Sequence, residues 1–205
     1  MAFNEHIVNL VKDPKGYAQR LKNALDFRGT FTETFIEQQY LWLLQTLKPN
    51  TTLVDIGGHM GDTAVYFAAS PKVKKVIAYE PSTKLYKEAL HNVTMSPFKD
   101  KIQFNRIAVG KQNQSIIYDN EKGGVRYIAL DDVLRRLKNV AIKCDCEGGE
   151  RYIFKGVNLK EVYAMQIEYH FNCVGALARD LKEAGFKAKR KNQTTPQINW
   201  LYVKR

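Results

Sequence analysis

The feature that most constrains this chain lies between residues 52 and 61, which read TLVDIGGHMG. Thr52, Leu53 and Val54 make an extended apolar run. Asp55 follows, and Gly57, Gly58 and Gly61 crowd into five positions before the helix-forming stretch DTAVYFAA. Branched apolar residues favour a strand, closely spaced glycines permit a tight turn, and the run after Gly61 favours a helix. A strand that hands over directly to a helix is half of a βαβ crossover. The pattern then repeats, with strands expected at 52–56, 75–79, 102–106, 139–145 and 164–170 and helices at 61–69, 82–94, 130–138 and 175–185. Further short strands are expected in QSIIYD and VRYIAL, near Phe186 and in NWLYVKR. Such alternation makes an α/β fold with a mostly parallel sheet covered on both faces.

Residues 1–48 precede the pattern and read as an N-terminal helical extension packed on a domain spanning 49–205. Their best helix starts at Thr30, with Glu33 completing a capping box. Ile36, Tyr40, Leu43, Leu44 and Leu47 recur at helical spacing, and Pro49 stops the run. Phe31, Phe35 and Tyr40 fit either a lid over a site or ordinary core packing. The 205 residues suit one large domain. No stretch approaches the ~20 apolar residues of a membrane helix, and the N-terminus lacks the blocks of a secretory signal, so a cytoplasmic location is expected. Cys144, Cys146 and Cys173 fit reduced thiols. A net charge of +11 allows an anionic partner such as nucleic acid and equally describes a lysine-rich soluble surface, densest in KAKRK at 187–191.

In open α/β sheets the ligand sits outside the carboxyl ends of the strands. The second strand ends KVIAYEP, placing Glu80 25 residues after Asp55. A carboxylate at that tip can accept hydrogen bonds from both hydroxyls of a ribose. The dinucleotide fingerprint G-x-G-x-x-G fails here, because its second and third glycines fall on His59 and Asp62. A G-x-x-x-x-G-K-S/T phosphate loop is also absent from the sequence. An acid followed by glycines at the third and seventh positions is the layout of class I methyltransferases that bind S-adenosylmethionine.

Taken in order, LVDIGGHMGDTAVYFA, VIAYEPSTKLYKEALHNV, RIAVG, ALDDVL, IKCDCEGGERYIFKG and MQIEYH resemble the FkbM-like methyltransferases. The likeness spans residues 52–170 and continues more weakly through LKEAGFKAK and NWLYVKR. Its most specific mark is the run Lys143, Asp145, Glu147, Gly148 and Glu150. The resemblance implies a Rossmann-like class I methyltransferase fold with a seven-stranded sheet and S-adenosylmethionine as cofactor. It implies that Asp55, Gly57, Gly58, His59 and Gly61 surround the methionine moiety, with Asp145 beside the sulfonium. Glu80 would hold the ribose, and Pro81, Ile107 and Ala108 would flank the adenine. His59 stands where the family more often has asparagine, and Cys144 and Cys146 replace aliphatic residues around Asp145.

Methyl transfer from a sulfonium is an in-line displacement, so positioning and exclusion of water do much of the work. Asp145 ends the fourth strand, and Glu168 and His170 end the fifth; these three are the catalytic candidates. His170 or Asp145 can serve as general base on a hydroxyl. Alternatively all three bind a divalent metal, a positional likeness to catechol O-methyltransferase. Structural roles stand beside these: a hydrogen-bonded His170, an anchoring Glu168, and Glu147 and Glu150 as acids in a first helical turn. A zinc site from Cys146, His170 and Cys173 is disfavoured, since Cys-x-Cys is not the Cys-x-x-Cys knuckle of structural zinc.

Amino-directed nucleic-acid enzymes carry an Asn/Asp-Pro-Pro-aromatic turn after the fourth strand, where this chain has DCEGGE. No Pro-Cys nucleophile occurs either. Both absences point to O-methylation, which the resemblance also implies, on a sugar or other small-molecule or glycan hydroxyl. A second reading is an RNA-directed enzyme acting on a 2′-hydroxyl or base through its basic surface, which steep salt dependence would reveal. A third, a binding module without catalysis, is opposed by Asp55, Glu80 and Asp145.

Overall fold

The computed structural model describes residues 32–110, 124–170, 173–192 and 199–205. Its strands are β1 (Thr51–Ile56), β2 (Val73–Tyr79), β3 (Ile102–Asn105), β4 (Ala108–Val109), β5 (Tyr127–Ile128), β6 (Val140–Cys144), β7 (Val162–Glu168), β8 (Lys187–Asn192) and β9 (Asn199–Lys204). Its helices are α1 (Leu41–Thr46), α2 (Asp62–Ala68), α3 (Thr83–Met95), α4 (Leu130–Leu134), α5 (Glu150–Ile153) and α6 (Val174–Glu183). Seven strands form one sheet in the order β3-β2-β1-β6-β7-β9-β8, while β4 and β5 pair separately. All neighbours in the large sheet run parallel except β9, which is antiparallel to both β7 and β8. The strand order reverses direction at β1, so the carboxyl ends of β1, β2, β6 and β7 open side by side at the switch point.

The central strands are apolar on both faces because helices cover both. Leu53, Ala164 and Trp200 join one hydrophobic layer with Phe35, Tyr40, Tyr66 and Phe67. Val54, Ile56, Ile142 and Met165 join the other with Leu130, Leu177 and Phe186. Every residue of α2 is buried. In α3 the Ser82 hydroxyl accepts the Leu85 N–H, Ala89 and Val93 turn inward, and Lys84 and Lys87 stay in solvent. No helix among the described residues is long and apolar enough to cross a membrane.

The expected elements recur with shifted ends. β2 starts earlier than expected, at Val73, α4 stops at Leu134, and the strand in VRYIAL shrinks to Tyr127–Ile128. QSIIYD, Thr30 and Phe31 lie outside the described residues. The run leading to Leu47 is not the single helix its spacing predicts. A π-helical turn at Thr32–Ile36 is followed by a break, with Gln38 at φ 53, before α1 begins. Tertiary contacts gather at the break. The Gln39 carbonyl accepts the Gln166 side-chain amide at 2.8 Å, and Tyr40 wedges between Phe67 and Trp200, with ring centroids 5.9 and 5.5 Å away. Phe35 and Tyr40 are accordingly core residues.

Candidate active site

Gly57 follows β1 with φ 80, and its N–H and that of Gly58 both donate to the Tyr79 carbonyl, at 3.0 and 2.9 Å. The turn is therefore stitched to the end of β2. A Cβ on Gly57 would stand 1.6 Å from the Asp145 carbonyl oxygen, and one on Gly58 would stand 2.7 Å from the Phe104 ring. These approaches, rather than turn propensity alone, demand glycine. Gly61 ends the turn, donating to the Gly58 carbonyl at 2.8 Å.

Beneath the turn lies a buried ion pair. The parallel register sets Asp55 of β1 beside Lys143 of β6. Lys143 Nζ donates to the Gly57 carbonyl at 2.6 Å and lies 3.3 Å from Asp55 Oδ1. The Thr63 hydroxyl donates to Asp55 Oδ2 at 2.6 Å, and the Tyr40 ring centroid is 5.6 Å from the ammonium. Burial raises the Asp55 pKa against the opposing pull of Lys143 and Thr63. Burial also works against the Lys143 charge, but Asp55 outweighs it and the lysine stays protonated. Lys143 thus ties the glycine turn to the sheet.

Above the turn opens a cavity of about 310 Å³. Gly57, His59, Asp62 and Thr63 line it from the turn, Tyr79, Glu80 and Pro81 from the end of β2, and Ile107, Ala108 and Val109 from the segment around β4. Lys143, Asp145, Cys146 and Glu147 contribute from the end of β6, Glu168 from β7, and Glu33, Gln39 and Tyr40 from the N-terminal side. Of the residues singled out from sequence, Asp55, Gly58, Gly61 and His170 are not on this wall. Asp55 sits beneath it, fully buried. Asp62, Thr63, Tyr79 and the N-terminal residues Glu33 and Gln39 were not singled out. The signal for Asp62 was its place directly after Gly61; the others needed the fold.

Glu80 is 3% exposed, and its two carboxyl oxygens accept the backbone N–H groups of His59 and Ser82 at 3.1 and 2.9 Å. Burial pushes its pKa up to about 7 despite those two bonds. His59 itself adopts φ 46, an uncommon conformation for a side-chain-bearing residue, and its Nδ1 has no hydrogen-bond partner among the described residues.

The opposite end of the cavity gathers acids around one imidazole. His170 Nδ1 lies 3.3 Å from Glu150 Oε1, and its Nε2 lies 3.5 Å from Glu147 and 3.8 Å from Glu168. The Glu150 hydrogen bond, working against burial, raises His170 to about 9, so the ring is protonated at neutral pH. Burial, with the charge of Asp145, raises Glu168 to about 8. For Glu150, burial acts upward but His170 and backbone amides outweigh it, and its pKa falls. The residues that bring three ligand atoms within 4.8 Å of one another are Asp145, Glu150 and His170, with Glu150 where the sequence reading had Glu168. Glu150 already accepts the N–H groups of Cys146 and Gly148, both at 2.9 Å. Cys146, His170 and Cys173 form no such group. Cys144 and Cys146 are free thiols 3.8 Å apart, and both are raised: burial acts on Cys144, and the neighbouring Cys144 thiol together with burial acts on Cys146.

Among the described residues, six carboxyl groups, Glu33, Asp62, Glu80, Asp145, Glu147 and Glu168, face the cavity against a single lysine whose charge Asp55 already shares. The cavity is therefore acidic inside a chain of net charge +11.

No protein-family model and no curated protein matches the chain. Solved structures do. FkbM from Methylobacillus flagellatus superimposes with a TM-score of 0.59 at 15% identity, over 91% of this chain and 57% of that one. TrmK of M. capricolum, solved with S-adenosyl-homocysteine as its natural cofactor product, gives 0.56 at 13% identity over 82% and 67%. Precorrin-6y C5,15-methyltransferase from Geobacter metallireducens gives 0.55 at 10% identity over 83% and 88%. The chain has the Rossmann-like fold of class I methyltransferases.

Proposed function

We propose that this chain is an S-adenosylmethionine-dependent methyltransferase of FkbM-like type that methylates a hydroxyl of a sugar or other small acceptor. The observation that carries the reading is the meeting, in one cavity of this fold, of the glycine turn after β1 and the Glu80 carboxylate at the tip of β2. The residues fit the cofactor: the cavity is of ligand size, and the turn has no room for a Cβ at Gly57 or Gly58. Glu80 would accept the ribose hydroxyls, and Pro81, Ile107 and Ala108 would flank the adenine.

When bound, the cofactor supplies a methyl group activated by a sulfonium. The carboxyl-rich walls favour binding of that cation over binding of its neutral product. At the acceptor end Glu168 lines the cavity; raised to about 8 by burial, it is mostly protonated at neutral pH, and its ionised fraction is a stronger base than an ordinary carboxylate. Its carboxylate takes the proton of the acceptor hydroxyl while Asp145 orients the oxygen. His170, already protonated, balances Glu147, Glu150 and Glu168 and fits a positioning role better than that of a base. A neutral hydroxyl acceptor suits an acidic cavity better than a phosphate-bearing strand does, which weighs against the RNA reading.

Isothermal titration of S-adenosylmethionine and S-adenosylhomocysteine into wild type and Glu80→Ala tests the proposal. Binding that collapses in the variant is expected; a wild type that binds neither would refute the cofactor assignment. Activity that survives EDTA fits Glu168 as base. Loss to EDTA with recovery in Mg²⁺ would pass that role to a metal on Asp145, Glu150 and His170.

A further inference from the structure

The resemblance to known methyltransferases assigns Asp55 to the methionine portion of the cofactor, and the structure sets that residue beside Lys143 rather than on the cavity wall. Asp55 is fully buried beneath the turn, outside the cavity wall; the Thr63 hydroxyl donates to its Oδ2, and its Oδ1, without a hydrogen-bond partner among the described residues, lies 3.3 Å from the Lys143 ammonium. A carboxylate sharing its charge with a buried ammonium has none to spare for a second cation. Asp62, directly after the glycines, is nearly as buried but stands on the cavity wall, away from the Lys143 pair. It lines the cavity, is 2% exposed, and its Oδ2 accepts the Thr34 hydroxyl at 2.6 Å. Its Oδ1 has no hydrogen-bond partner among the described residues. A buried carboxylate oxygen without a partner is costly unless a ligand completes it.

We propose that Asp62 holds the α-ammonium of the amino-acid portion of the bound cofactor, with Thr34 fixing the carboxylate's orientation. The assignment rests on the cofactor reading above. It is supported by the local field: Glu33, beside Asp62 on the cavity wall, is raised by burial and by the charges of Glu37, Asp62 and Asp145. A cation placed among these groups relieves that repulsion.

The test compares S-adenosylhomocysteine with its deaminated analogue, which keeps the carboxylate and lacks only the ammonium, by isothermal titration against wild type and Asp62→Asn. A charge-assisted hydrogen bond in a buried site makes wild type prefer the amino compound roughly ten- to a hundredfold. In Asp62→Asn the preference shrinks to within about threefold. Affinity for the analogue is retained, since the amide oxygen still accepts the Thr34 hydroxyl. Asp62→Glu, which keeps the charge, retains the preference and carries the test if the amide variant does not fold. A variant that keeps the full preference, or loses both ligands in equal proportion, overturns the proposal, as does a wild type that binds both equally. Wild type that binds neither ligand overturns the cofactor reading and this assignment with it.

Discussion

Glu80 and Glu168 both stand at the carboxyl tips of parallel strands, both line the same cavity, and burial raises both, to about 7 and about 8. They are held in different ways. Each oxygen of Glu80 accepts a backbone amide, from His59 and Ser82, so its geometry is set by the paths of the two turns. Glu168 is framed by side chains, with Asp145 opposing its charge and His170 at 3.8 Å favouring it. The end of the cavity proposed for the nucleotide is thus set by the backbone. The chemistry of the other end is a charge balance that a single substitution resets.

The sharpest way to break the backbone end is Gly57→Ala, which forces a methyl to 1.6 Å from the Asp145 carbonyl at a φ of 80. A loss of at least about 3 kcal/mol is expected in denaturant unfolding, together with loss of S-adenosylhomocysteine binding. Next comes Lys143→Met, which strands the buried Asp55 charge and should cost about 3–5 kcal/mol. Asp55→Asn in the same background should recover part of that loss, and no recovery would mean the pair is not the cause.

A smaller effect separates the two carboxylates by pH. Glu80 has a folded pKa of about 7 against an ordinary 4.5, so it is mostly protonated at pH 6 and ionised at pH 8. The ionised form accepts ribose hydroxyls more strongly, so affinity for S-adenosylhomocysteine should rise about tenfold as pH increases through about 7. Glu80→Gln should flatten that rise; an unchanged profile would place the titrating group elsewhere. The smallest effect is at His170. Its folded pKa of about 9 exceeds the ordinary 6.5, so the stability its protonation adds is fully present below about 6.5 and lost as pH rises through about 9. Removing its main partner with Glu150→Gln should move the imidazole titration, followed by NMR, downward towards 6.5.

The backbone end was legible in sequence for a physical reason. Glycines that admit close approach and an acid at a strand tip are local requirements, so Gly57, Gly58 and Glu80 could be singled out from short stretches. The α/β alternation was legible for the same reason, because strands and helices write their periodicities along the chain. What escaped depends on neighbours distant in sequence. Asp55 reads as a ligand contact until the register sets Lys143 beside it. Nor does the sequence show that three carboxylates surround His170. The break before α1 was hidden because Ile36, Tyr40, Leu43 and Leu47 keep helical spacing, while the contact at the break comes from Gln166.

Tyr40 packs edge-on against Trp200, and β9, which carries Trp200, is inserted between β7 and β8 although it comes last along the chain. A wall of the cavity therefore leans on a strand that the ribosome delivers after every other strand of the sheet. A nascent chain can pair β1, β2, β6 and β7 early and set Tyr40 against Phe67, yet the second face of that contact, Trp200, comes only with β9. Enclosure of the cavity would then depend on β9: chains lacking Asn199–Lys204 would present the glycine turn and Glu80 without the Trp200 contact that backs Tyr40.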